Sequence, residues 1–304
     1  METKIGVISG FLGAGKTTLI RKLLREIPQN ETTVILENEF GEIGIDGKIL
    51  QQDGVRVREI NSGCICCTLA GDFSDALKEV IRKYQPDRVF IEPSGVGKLS
   101  DILPTCRRIA LREQGKADFC VTVVNALKYQ MYARNFSEFF FDQIENAAAI
   151  LLSRTQQIEP DLLQDTIKDI RQHNPKAAIL TTPWEQISAG QILRIAEKGA
   201  PPLIQKEELP KHHHHAGETF QVWSMETPHL FSRELLDRAL KSLPKYGNVL
   251  RAKGLIARNE GGWCQFDYVP GEIRVQDAGP DFTGRICVIG ENLDKPGLAA
   301  LFQV

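Results

Sequence analysis

Eight residues near the amino terminus have the spacing of a phosphate cradle. GFLGAGKT, Gly10 to Thr17, fits the pattern G-x-x-x-x-G-K-[ST], and Thr18 follows it. Glycines in this pattern let the backbone bend around an anion, so that amide N–H groups point at phosphate oxygens. Gly10, Gly13, Ala14 and Gly15 are the candidates for that backbone contact, with Lys16, Thr17 and Thr18. A helix opening here adds partial positive charge. Lys16 is long enough to reach β- and γ-phosphates, and the Thr17 hydroxyl is a Mg²⁺ ligand. The competing reading is a chance glycine-rich turn. An apolar run before the motif and a helical pattern after it argue against chance.

Such a cradle needs an acidic group at the end of another strand. RVFIEPSG (88–95) offers Glu92 after an apolar run, with Gly95 three positions on. This resembles the D-x-x-G element of GTPases, with Glu in place of Asp. On that reading the Gly95 amide senses the γ-phosphate and Glu92 holds Mg²⁺ through water. The alternative is a strand-end carboxylate in an ordinary loop. LENEFGEIGIDG (36–47) adds Glu37, Glu39, Glu42 and Asp46. Near a triphosphate these carboxylates suit water positioning, Mg²⁺ or a second metal; composition alone favours a solvated acidic loop.

INSGCICCTLAGD (60–72) crowds Cys64, Cys66 and Cys67 into four positions. Thiols packed like this staple a fold, carry redox chemistry or hold a soft metal. Seven cysteines is an odd number. Nothing at the start has the basic, apolar and small-residue order of a secretory signal, so the expectation is cytoplasmic, where thiols are seldom paired. That weakens the staple and leaves redox and metal open. Cys120 and Cys287 sit in apolar runs and read as core residues.

The elements that must position these groups follow from periodicity. Apolar runs at 5–9, 33–37, 55–60, 88–92, 119–124, 148–153 and 177–182 read as strands, and several are separated by amphipathic helical patterns at 16–27, 73–84, 160–173 and 188–199. Alternation of this kind predicts an α/β unit with a mostly parallel sheet and helices on both faces. Past residue 200 the pattern changes. The expected division is 1–205 for the phosphate-binding unit, 206–217 for a His-rich linker, and 218–304 for a small α+β unit with a largely antiparallel sheet. The 304 residues are 42% hydrophobic and 25% charged, with net charge −2. No apolar run nears the roughly 18 residues of a membrane span, and no basic excess points to nucleic acid.

GFLGAGKTTL, ENEFGEIGID, GCICC and EPSG, in this order, resemble the CobW-type P-loop GTPases, relatives of HypB and UreG in the SIMIBI class. The resemblance covers the whole chain and extends to the His-rich stretch and to LRAKG (250–254). It implies a GTP-dependent transition-metal chaperone that couples slow hydrolysis of GTP, with Mg²⁺, to binding of Zn²⁺, or of Co²⁺ or Ni²⁺, and delivery to a client metalloprotein. It also implies Cys64, Cys66 and Cys67 as the transition-metal site, with Glu42 or water as fourth donor. Lys16, Glu37 and Glu92 become the catalytic groups, and Thr17 and Glu92 the Mg²⁺ ligands. His212, His213, His214 and His215 read either as an idle linker or as a loose metal-collecting tract. The alternatives are a nucleotide-dependent factor in corrinoid metabolism, and a nucleotide-gated metal sensor or buffer with negligible hydrolysis. A homodimer is the expected assembly if there is one.

One place departs from the family pattern. Guanine is read by [NST]-K-x-D, and here the matching residues are Ser153, Arg154, Thr155 and Gln156. A carboxylate accepts two charge-assisted hydrogen bonds from guanine, whereas a neutral amide offers one acceptor and turns a donor toward a donor. Base selectivity is therefore expected to be weaker than in the family.

Overall fold

The computed structural model describes residues 2–28, 31–37, 56–59, 70–113, 115–198, 220–280 and 283–302. The segment from 4 to 198 runs as β1 (Lys4–Gly10), α1 (Lys16–Glu26), β2 (Thr33–Glu37), β3 (Arg56–Glu59), α2 (Ala70–Tyr84), β4 (Arg88–Glu92), α3 (Leu99–Arg112), β5 (Lys116–Asn125), α4 (Tyr129–Asn135), α5 (Ser137–Glu145), β6 (Ala149–Ser153), α6 (Pro160–His173), β7 (Ala178–Leu180) and α7 (Ala189–Lys198). The seven strands form one sheet in the order β3-β2-β4-β1-β5-β6-β7. Every pairing in it is parallel.

Alternate residues of each strand serve opposite faces, because successive side chains point to opposite sides of a sheet. Ile5, Val7, Val34, Leu36, Val89 and Ile91 pack with Phe73 and Leu77 of α2 and Ile102 and Ile109 of α3. Ile8, Ile35 and Phe90 pack on the other face with Leu19, Ile20 and Leu23 of α1 and Ile192 of α7. Both faces are covered, which is why the strands read as continuous apolar runs. Strand β1 lies between β4 and β5, where the strand order reverses. In open sheets of this class ligands bind outside the carboxyl ends of the strands at that reversal.

The residues from 220 build β8 (Gln221–Thr227), β9 (Leu230–Phe231), α8 (Arg233–Ser242), β10 (Asn248–Arg258), β11 (Trp263–Val269), β12 (Glu272–Ala278), β13 (Gly284–Glu291) and α9 (Lys295–Phe302). Five strands are antiparallel in the order β12-β11-β10-β13-β8, and β9 pairs β10 in parallel. Leu236 and Leu240 of α8 and Leu298 and Phe302 of α9 close its core. The two sheets are joined by shared apolar packing. Phe11, Tyr132, Phe136, Phe139 and Phe140 gather with Phe220, Leu250 and Ile289. The Phe139 and Phe220 rings stand 5.0 Å apart in a T-shaped pair.

The expected strands and helices all appear within a few residues of their anticipated ends. Among the described residues three α-helices were not anticipated. In α3 a proline, Pro104, interrupts the pattern from inside the helix. Helices α4 and α5 are short and rich in aromatic residues, which weakens the polar half of an amphipathic signal.

Candidate functional site

The phosphate loop leaves the carboxyl end of β1 at the strand-order reversal and turns directly into α1, capped by Gly15. Gly10, Gly13 and Gly15 all take positive φ, at 145°, 69° and 110°. Its carbonyls are tied inward: the Tyr132 hydroxyl donates to Leu12 O at 3.0 Å, and the Ser153 hydroxyl donates to Ala14 O at 2.7 Å. Phe11 is buried against Tyr132 and Phe136. These contacts brace the loop from the protein side. Thr17 is half-buried and Thr18 exposed on the first turn of α1.

Lys16 is only 5% exposed. Its ammonium donates to Gly10 O at 3.0 Å and lies 3.8 Å from a Glu92 carboxylate oxygen. Glu92 ends β4 and is in register with Glu37, which ends β2; they are 8% and 2% exposed. Gly95 follows close by. A Cβ there would stand 2.7 Å from Leu12 Cδ2 and 3.1 Å from Lys16 Nζ, so the loop after β4 approaches the phosphate loop too closely for a side chain. The three groups assigned to catalysis, with Gly95, therefore meet at the ends of adjacent strands. Thr17 and Glu92 offer hard oxygen donors, a set that fits Mg²⁺.

Sequence reasoning missed what holds the Gly95 loop. Gln143 of α5, wholly buried, donates its amide to Gly95 O at 3.2 Å and Gly97 O at 2.8 Å. Lys98 Nζ donates to Glu138 Oε1 at 2.5 Å, and Ser100 N to Asp142 Oδ1 at 3.1 Å. The signal was present: a lone amide inside the aromatic stretch SEFFFDQIE needs a buried partner.

On the base side, Ser153 ends β6 beside the phosphate loop, and Gln156 is exposed. Trp184, in the turn after β7, comes within 3.5 Å of the position a Gly15 Cβ would take, and its indole N–H is buried without a hydrogen-bond partner. Periodicity alone does not place it beside the phosphate loop. Arg154 adopts φ 63°, a left-handed conformation unusual for a residue with a side chain. Rather than standing alone to cover a base, its guanidinium is paired with Glu272 of β12. Burial raises the Glu272 carboxyl, but the Arg154 hydrogen bond and charge outweigh it and hold the group below its ordinary range.

Cys64, Cys66, Cys67, Glu42 and His212 to His215 lie outside the described residues. Among the described residues no group of three His, Cys, Asp or Glu side chains could hold a metal ion. Cys106, Cys120, Cys264 and Cys287 are buried and form no disulfide. Burial pushes the Cys106 thiol up strongly and the Cys120 thiol up to about 12, so neither is a ready nucleophile or ligand. His173 stacks on Phe141 at 3.7 Å and contacts Glu145, and the His229 ring meets Phe231 edge-on. No helix among the described residues is long and apolar enough to cross a membrane.

Residues 4–181 match the family described as CobW/HypB/UreG, nucleotide-binding domain, and residues 220–304 match the cobalamin synthesis protein cobW C-terminal domain. The chain is 35% identical over 161 residues to the zinc chaperone YeiR of Escherichia coli K12, an alignment covering 52% of this chain and 48% of that protein. It spans about half the length of that relative. It is 27% identical to the zinc chaperone CobW of Pseudomonas aeruginosa, covering 97% of this chain and 89% of that one. It is 24% identical to the zinc-regulated GTPase metalloprotein activator 1 of Schizosaccharomyces pombe, covering 96% and 83%.

Proposed function

The chain belongs to the CobW/HypB/UreG nucleotide-binding family, and from that premise we propose that it is a GTPase that binds Zn²⁺ and delivers it to a client metalloprotein. The observation that carries the reading is the meeting of Lys16, Glu92 and Gly95 at the mouth of the phosphate loop, with the Lys16 ammonium 3.8 Å from Glu92. A triphosphate seated on the loop places its γ-phosphoryl beside a buried cation. Water attacks the γ-phosphorus, the β–γ bridging oxygen leaves with GDP, and Lys16 offsets the negative charge on the equatorial oxygens. Mg²⁺, held by Thr17 and Glu92, neutralises further phosphate charge when bound. Glu37 opens the acidic stretch toward Glu42 and stands in register with Glu92, so a group beside the phosphates and the expected metal ligands belong to one continuous segment.

Zn²⁺ is the cargo. Three thiolates at Cys64, Cys66 and Cys67 suit it, and Glu42 is the proposed fourth ligand. The names of the zinc-chaperone relatives support zinc over cobalt or nickel. His212 to His215 are proposed as a weak accessory tract, and the residues from 220 as the client-facing part. The unit boundaries at 205 and 218 belong to the same proposal.

The test is a titration of Zn²⁺, Co²⁺ and Ni²⁺ with GTP, GDP, ATP or no nucleotide present. Zn²⁺ is expected to bind tightest, with an affinity that differs by about tenfold between the GTP and GDP forms, a coupling of ordinary size. Equal metal affinity in every nucleotide state would remove the coupling. Gln156→Asp is expected to raise discrimination for GTP over ATP by about tenfold, by restoring a charge-assisted acceptor. Competition binding of the two nucleotides reads it, and an unchanged ratio means the base is not read at this position.

A further inference from the structure

Three loops at the carboxyl ends of β1, β5 and β6 carry contacts to the same small piece of the second sheet. That piece is the turn between β11 and β12, where Val269 pairs with Glu272 across Pro270 and Gly271. Gly271 has φ 79°, and proline followed by a positive-φ glycine is a tight turn with little freedom. Its first contact is on the phosphate loop. A Cβ at Gly13 would stand 2.6 Å from Val269 Cγ1, so Val269 packs directly on the loop's backbone. The second contact is on the turn after β5, where Lys128 Nζ donates to Pro270 O at 2.6 Å. The third is the Arg154–Glu272 ion pair, on the base-side loop after β6.

These contacts are of three different kinds, apolar, main-chain and ionic, and they converge from strands that are neighbours in the sheet. Glu272 is further braced by Arg274 at 2.7 Å, so the carboxylate is held from its own strand as well. Arg154 keeps a left-handed backbone that no glycine relaxes, and such conformations persist where the surroundings over-determine them. The Glu272 pair supplies that constraint on the side-chain end; Ser153, bonded to the phosphate loop, supplies it on the backbone end.

Resting on the nucleotide-binding reading above, we propose that the β11–β12 turn is a wall of the nucleotide site, and that Glu272 is the positioning residue that holds Arg154 over the purine base. The site is then composite: phosphates are bound by the first sheet's loop, while the base end is shaped by the second sheet. Affinity for the base part of the nucleotide depends on a residue 118 positions away from Arg154 in the chain. By linkage, whatever moves the second sheet, a bound client included, changes nucleotide affinity, and nucleotide changes affinity for it.

The experiment uses the full chain and two Mg²⁺-bound probes, GTP and inorganic tripolyphosphate, which share phosphates but not a base. Glu272→Gln is expected to weaken GTP about tenfold and to leave tripolyphosphate within about twofold of the parent protein. In an Arg154→Ala background the same change is expected to have no further effect on GTP, because Glu272 acts through Arg154. Unchanged GTP affinity overturns the proposal. So does equal weakening of both probes, which means a general structural role, and so does simple additivity with Arg154→Ala. A parent protein that binds neither probe is a different failure: it removes the nucleotide reading itself, and this inference with it.

Discussion

Lys16→Ala is expected to abolish measurable GTP hydrolysis and to weaken nucleotide binding by two or more orders of magnitude. Lys16 is 5% exposed and its ammonium lies 3.8 Å from a Glu92 carboxylate oxygen. Glu37 stands in register with Glu92 on the adjacent strand. Without the ammonium, the loop loses the buried positive charge that stands beside Glu92 and would meet an incoming triphosphate. A charge-assisted hydrogen bond is worth about 1.5–3 kcal/mol, Lys16 can make one to each of two phosphates, and each 1.4 kcal/mol is a factor of about ten in binding. Isothermal titration with GTP and single-turnover phosphate release measure the two effects. A circular-dichroism melt shows whether the variant is folded, since α1 also loses the stem of a buried side chain. Undiminished hydrolysis in a folded variant would sink the phosphate-loop assignment.

Replacing Cys64, Cys66 and Cys67 together by Ser is the second large effect. A serine hydroxyl is not ionised at neutral pH and is a poor zinc ligand, so the variant loses every soft donor of the proposed site at once. Loss of at least about a thousandfold in Zn²⁺ affinity is expected, given the 10–16 kcal/mol typical of structural zinc peptides. The remaining cysteines make the result readable. Cys106, Cys120, Cys264 and Cys287 are buried, and at Cys106 and Cys120 burial keeps the thiol protonated. They do not substitute as ligands without unfolding. Competition with a chromophoric chelator measures the affinity, and GTP binding checks the fold. Zinc retained at the same stoichiometry relocates the site, with His212 to His215 the first place to look.

Much of this was legible in the chain because each signal is local. The phosphate loop occupies eight consecutive residues, and Glu92 and Gly95 are three apart. Strands such as TVILE and RVFIE, buried on both faces, are apolar at their three central positions and stand out from their flanks. The groups that were missed act across distance. Gln143 lies 46 residues from Gly97, and its role depends on α5 packing beside the loop after β4. Trp184 meets Gly15 only because β7 and β1 belong to one sheet. Glu272 is an ordinary acidic residue in an edge-strand pattern until the fold lays its turn over Arg154. Periodicity reports burial, not which loops are brought together, so composite features of the site had no signature to find.

The position of β1 has a consequence for how the molecule is made. It is the central strand of the first sheet, yet its partners come late: Lys4 pairs with Arg88 on one side and Lys116 on the other. At ordinary ribosomal speeds of about 5–20 residues per second, β1 is synthesised roughly 4–17 s before β4 is available, and longer before β5. During that interval β1 lacks both sheet neighbours; α1, which covers Ile8, is made at once, whereas α2 and α3, which cover Ile5 and Val7, come later in the chain. The nascent chain therefore presents two unpaired strand edges and an apolar segment to the cell, a state in which parallel sheets are slow to close and prone to self-association. The phosphate-loop carbonyls of Leu12 and Ala14 likewise gain their side-chain donors only once Tyr132 and Ser153 have been synthesised.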